Sequence, residues 1–190
     1  MLFIDFYLII AIFLPLTIHS NDQGDDHYKD LYFEVVEPSD INYTFRCRPA
    51  KDLGTKFNQF LENIYLIPAK PFKACSRLQN DFELNGNIAL IERGDCSFVT
   101  KITNGQASGA LGVIVMDDKP TADVHFVDMI DDMTQRNIII PAMFLQYRDG
   151  HMILNSIEKN HLIGARINIP LNLTYNQMLK VHRAPGSYWL

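Results

Sequence analysis

The sequence predicts an α+β domain whose strand-rich core is flanked by short α-helices, and three observations carry that prediction. Aromatic and β-branched residues crowd the region from Leu31 to Phe45. A strand, helix, strand unit occupies residues 88–116. A further apolar strand, an amphipathic helix and a closing strand lie between Ile138 and Ile169.

Each element has its own signal. Leu31 to Val36 is rich in residues that suit a pleated surface, Pro38-Ser39-Asp40 supplies a turn, and Ile41 to Phe45 alternates, so the pair reads as a hairpin. Residues 48–54 read as a loop, and Ile64 to Ile67 as a short strand ended by Pro68. Ile88-Ala89-Leu90-Ile91 is a continuous apolar run, the pattern of a strand covered on both faces. Gly94 can make the sharp turn after it, and Ser97 is placed to cap a helix that carries Phe98 and Ile102 on one face. Gly112 to Met116 is a second buried-type strand and Ile138 to Leu145 a third. Met152, Ile153, Ser156 and Ile157 recur at helical spacing within Asp149 to Lys159, and Ala165 to Ile169 closes the pattern.

The first 20 residues stand apart. Phe6 to Ile18 is a run of 13 residues without charge, preceded by Asp5 and followed by the polar stretch that begins at Asn21. A membrane-spanning helix needs about 20 apolar residues, so residues 1–20 read as a signal peptide cleaved near Ser20, and the uncleaved anchor is the competing reading. Residues 21–30 form a polar linker, residues 31–176 the domain, and residues 177–190 a tail, which either docks on a partner or packs back on the domain. No second long apolar stretch predicts stable membrane insertion. The net charge of −5 comes without basic clusters, so nothing favours nucleic acid as a partner.

Export makes two further features meaningful. Asn42-Tyr43-Thr44 and Asn172-Leu173-Thr174 are N-glycosylation sequons, with Asn172 the safer site because Asn42 falls in a predicted strand. Three cysteines, Cys47, Cys75 and Cys96, allow at most one bridge within the chain and leave one thiol over.

The string Leu90-Ile91-Glu92-Arg93-Gly94-Asp95-Cys96-Ser97-Phe98, with Lys101 and Gly109-Ala110-Leu111-Gly112-Val113-Ile114, resembles the signature of the protease-associated domain family. Ile140 to Leu145 with Arg148-Asp149-Gly150 resembles its second signature. Flanking pieces, among them Tyr32-Phe33, Pro49-Ala50-Lys51-Asp52 and Ile169 to Thr174, are similar to its stand-alone secreted members, and the likeness covers nearly all of residues 30–176. The resemblance implies a β-sandwich or open barrel-like core and an interaction or lid role, catalysis residing elsewhere in such proteins. It also implies a bridge between Cys75 and Cys96, closing a loop of about 20 residues and stabilising the fold by about 3 kcal/mol. The residues themselves leave open two buried thiols, or a bridge to Cys47. Two positions depart from the pattern: Gly105, at a cost of about 1 kcal/mol in a helix, and Cys47.

Catalytic chemistry finds little support. The histidines at 19, 27, 125, 151, 161 and 182 form no metal-binding pair, no cysteines have zinc spacing, and neither a nucleophile elbow nor a phosphate loop occurs. Asp117-Asp118 and Asp131-Asp132 read as solvated loop acids, with calcium as the sharper alternative. Arg93 reads as a structural residue at a turn rather than a substrate clamp. The expectation is a secreted glycoprotein without catalytic residues, metal or cofactor, which binds a protein or peptide through its loops. The alternatives are an accessory subunit of a separate protease and a hydrolase of unrecognised design. For Cys47 two expectations stand: a thiol exposed between Arg46 and Arg48 that forms a covalent dimer, or a core residue.

Overall fold

A computed structural model describes residues 30–120 and 126–186. Its seven strands are β1 (Leu31–Glu37), β2 (Thr44–Pro49), β3 (Leu61–Pro68), β4 (Ile88–Glu92), β5 (Gly112–Met116), β6 (Ala142–Leu145) and β7 (Ala165–Leu171). Among them lie the helices α1 (Asp81–Leu84), α2 (Phe98–Ala107), α3 (Tyr147–Lys159) and α4 (Tyr175–Met178). The strands close into a barrel in the order β1-β2-β6-β5-β4-β3-β7. Of the two core shapes expected from the sequence, the barrel is the one formed, and it is closed rather than open. Strands β3 to β6 run parallel to one another, whereas β1 pairs antiparallel with both β2 and β7.

Period-two alternation divides the apolar residues between two cores. Ile88 and Leu90 of β4 and Ile114 and Met116 of β5 point into the barrel, where they meet Phe33, Phe45, Leu145 and Ile167. Their neighbours Ala89, Ile91, Val113 and Val115 point outward, and α2 covers them with Val99 and Ile102. Burial on both faces is why these strands are continuous apolar runs in the sequence. Phe33 and Phe45 face each other across β1 and β2 with ring centroids 5.4 Å apart.

Gly105 has a packing reason. A Cβ there would lie 2.8 Å from Val113 Cγ2, so the glycine lets α2 lie close on β5, and its propensity cost accompanies a contact that alanine would obstruct.

Several boundaries differ from the sequence reading. Strand β2 runs on to Pro49 through residues read as loop. The strand read from Ile138 begins only at Ala142, because side chains bracket residues 137–140: Gln106 Nε2 donates to Asn137 O at 3.0 Å, and Gln106 Oε1 accepts from Ile139 N at 2.8 Å. The tail returns to the barrel as far as residue 186. Thr44 N donates to His182 O at 2.7 Å, Arg183 bridges in parallel to Thr44, and Ala184 is buried in the inner core. The signal peptide and most of the linker, residues 1–29, lie outside the described residues, as do residues 187–190.

Candidate functional site at the rim of the parallel strands

Parallel strands gather their C-terminal ends at one side of a sheet, and in α/β sheets that side is where ligands bind. Here β3, β4, β5 and β6 end at one rim with Pro68, Glu92, Met116 and Leu145. The residues singled out by the sequence collect around it. Cys75 and Cys96 are joined by a disulfide that ties the loop after β3 to the turn between β4 and α2. That turn needs Gly94, whose φ is +105°. A Cβ at Gly94 would meet Asp118 Oδ2 at 3.4 Å and Lys73 Nζ at 3.6 Å.

Several charged groups at the rim have structural partners. Arg93 Nη1 donates to Asp117 Oδ1 at 3.0 Å, and the Asp117 side chain is only 2% exposed. A buried carboxylate left alone would be costly, so Arg93 is accounted for by that pairing. Lys73 Nζ lies 3.0 Å from Asp95 Oδ1. Ser97 caps α2 by accepting from Thr100 N at 3.1 Å, and its hydroxyl donates to Asp132 Oδ2. Arg136 Nη2 lies 2.6 Å from the same carboxylate oxygen. The Ser97 hydroxyl, then Thr134, hold the Asp132 carboxyl down at about 2. Asp117 and Asp132 thus belong to separate clasps, and among the described residues no group of three His, Cys, Asp or Glu side chains could hold a metal ion.

Lys101, which the sequence offers only as part of the family-like signature, is a functional candidate that only the structure brings out. It projects from α2 into the protein, fully buried, and Nζ donates to Lys73 O at 2.5 Å and to Cys75 Sγ at 3.6 Å. Burial pulls its ammonium down to about 8. The available signal was its position: Lys101 falls between Val99 and Ile102 on the buried face of a helix.

Cys47 belongs to the inner core, which corrects the exposed-thiol expectation and removes the basis for a covalent dimer. Alternation in β2 turns Cys47 inward while Arg46 and Arg48 turn outward, where both guanidinium groups lie over the Phe126 ring, at 4.8 and 4.7 Å. Burial first, then Asp30 and Asp149, push the thiol well above its ordinary range. His151 accompanies Tyr147 in a stacked pair on α3, beside a shallow depression of about 400 Å³ lined also by Pro120, Arg148, Met152 and Asn155. His182 packs on Tyr43 with ring centroids 4.5 Å apart.

Residues 62–153 match the PA domain family. A PRADC1-like protein of Drosophila melanogaster is 38% identical over 181 residues, covering 94% of this chain and 90% of that protein. A human ER degradation-enhancing alpha-mannosidase-like protein 3 is 35% identical over 99 residues, half of this chain but 11% of that protein. A zinc aminopeptidase from Bacillus subtilis shares the fold with a TM-score of 0.51 at 20% identity, over 78% of this chain and 32% of its own. A relative matched over nearly the whole of both chains, with the PA domain match at the centre of this one, establishes that the chain belongs to the protease-associated (PA) domain family.

Proposed function

We propose that this chain is a secreted, non-catalytic glycoprotein that binds a protein or peptide ligand through the loops of its rim. The observation that carries this reading is the state of the rim itself. Arg93, Ser97, Lys73, Asp117 and Asp132 are all engaged by structural partners, which yields a surface of fixed charge and shape: the Ser97 hydroxyl is committed to the α2 cap and to Asp132, whose carboxyl, held down at about 2 and bound by Arg136, is a poor base. The barrel interior is filled by side chains. Recovery from culture medium with a recurring partner tests the reading. Charge exchange at the exposed pair, Lys73→Glu with Asp95→Lys, reverses both charges without touching Asp117 and is expected to release the partner. A partner held equally well by that variant would place the binding surface elsewhere. A protease in every eluate would favour the accessory-subunit reading, and peptide hydrolysis by the pure chain would favour an enzyme.

Export is part of the same proposal: cleavage near Ser20 and glycans on Asn42 and Asn172. Both asparagines are exposed. Thr44 of the first sequon is buried beneath the returning tail, so Asn42 has to be modified before residues 182–184 dock. N-terminal sequencing of secreted material tests the cleavage, and retention of Met1 in a membrane pellet would show an anchor instead. Asn172→Gln is expected to change the glycoform pattern; an unchanged pattern would reverse the ranking of the two sites.

A further inference from the structure

We infer that the Cys75–Cys96 disulfide is an exchange-active site for thiols, with Cys75 as the thiolate member and the Lys101 ammonium as the group that stabilises it. The placement is specific. Cys75 is exposed, so the bond is open to solvent, while Lys101 reaches it from the protein side with Nζ 3.6 Å from Cys75 Sγ. A lysine beside a cysteine favours the thiolate, and a better-stabilised thiolate is a better leaving group in exchange.

The surroundings keep that ammonium positioned and charged. Its second bond, to Lys73 O, anchors it against the loop that carries Cys75, and Asn104 Nδ2 ties the same loop to α2 through Ala74 O at 2.8 Å. The loop is therefore held by bonds that survive reduction. The titratable groups facing Lys101 are Asp95 in the turn, Glu92 on β4 and Asp118 after β5, which favour its charged form, and Lys73, which opposes it. Burial is the largest influence and leaves the group protonated below about 8. Lys73 is itself engaged by Asp95, so Lys101 is the cation assigned to the sulfur.

The reaction balances with an external thiol as reductant. A thiolate attacks Cys96 Sγ, the S–S bond breaks, and its electron pair leaves on Cys75 Sγ beside the ammonium. A second thiolate attacks the external sulfur of the mixed disulfide, releases Cys96 and forms the oxidised thiol pair. Two electrons pass from two thiols to the protein disulfide, and the Cys96 thiolate takes up a proton from water. Run in reverse, the same steps oxidise a dithiol.

The test uses the full chain with a glutathione buffer and alkylation by iodoacetamide across pH. After reduction, Cys75 is expected to alkylate with a midpoint at least about one pH unit below the ordinary value near 8.5. Lys101→Met is expected to return the midpoint upward by about one unit, an about tenfold loss of thiolate at neutral pH. A purely structural lysine would leave that profile in place. Mass mapping of the trapped glutathione adduct is expected to find it on Cys96. A wild-type midpoint at or above about 8.5, or an adduct on Cys75, would overturn the inference, and these two measurements stand even where Lys101→Met does not fold.

Discussion

The parallel half of the barrel and the antiparallel half solve the same burial problem in opposite ways. In β4 and β5 every residue except Glu92 is buried, because the barrel interior takes one face and α2 the other. In β7 from Ala165 to Pro170, and in β1 from Phe33 to Val36, buried and partly exposed positions alternate, because no helix covers the outer face to the same extent. Polar pairs of the outer face replace that cover: Arg166 Nε donates to Glu37 at 2.6 Å and Asn168 Nδ2 to Glu34 at 2.7 Å, directly across the β1–β7 ladder. Charged and polar cross-strand pairs of this kind contribute only about 0.2–1 kcal/mol each. The stability and rigidity of the molecule should therefore concentrate on the α2 side, which is also the side that carries the rim, the disulfide and Lys101.

A matched pair of truncations is the strongest way to break that comparison. Ile91, fully buried between β4 and α2, is expected to cost about 2–5 kcal/mol as Ile91→Ala, since transfer and cavity terms add where the surroundings cannot collapse. Val36 on the outer face of β1 is half-buried, and Val36→Ala is expected to cost about 1 kcal/mol or less. Denaturant midpoints with unchanged slopes would measure both. Equal losses would mean that the two halves share one cooperative core and that coverage by α2 is not the deciding factor.

Gly105→Ala sharpens the comparison at the helix itself. Helix propensity alone predicts a gain of about 1 kcal/mol, because alanine is the better helix former. Contact with Val113 predicts the opposite, since overpacking costs about 1–3 kcal/mol. A Cβ at 2.8 Å from a β-branched side chain on a covered strand has little freedom to relax, so net destabilisation is expected. A raised melting temperature would show that α2 can lift from β5, and the parallel half would be softer than its burial suggests.

The same division explains which parts of the fold were legible in the sequence. Strands β4 and β5 and the Ser97 cap could be read directly, because double coverage demands unbroken apolar runs and a cap demands a short polar residue before one. The inward turn of Cys47 was readable in principle. Continuing the alternation past Phe45 places Cys47 inside and Arg46 and Arg48 outside, but the sequence reading ends the strand at Phe45, four residues short of its end at Pro49. The four-residue helices α1 and α4 have too few turns for a period to show. What could not be read was long-range pairing. Lys101 is defined by a loop 26–28 residues earlier, and Ser97 by an acid 35 residues later. Nothing local distinguishes Asp132 from its neighbour Asp131, which bonds Met133 N at 2.9 Å instead.

The smallest expected effect concerns that last clasp, by which the segment before β6 is fastened to the start of α2. The Asp132 carboxyl sits at about 2 in the folded chain, held down first by the Ser97 hydroxyl, then by Thr134 and Arg136, against an ordinary value of about 3.9 when unfolded. A group depressed on folding contributes stability that is complete above its unfolded value and is lost as pH falls through its folded one. The clasp should therefore be intact from neutral pH down to about 4 and loosen between about 4 and 2. Thr134 N donates to Asp132 Oδ1 at 3.2 Å and Thr100 N to Ser97 Oγ at 3.1 Å, so both amides report on it from opposite sides. Their chemical shifts are expected to titrate together with a midpoint near 2, and Asp132→Asn to abolish that titration while the Ser97 cap persists. A midpoint near 4 would mean that the carboxylate stands free of Ser97, and the loop would then lie against α2 without being fastened to it.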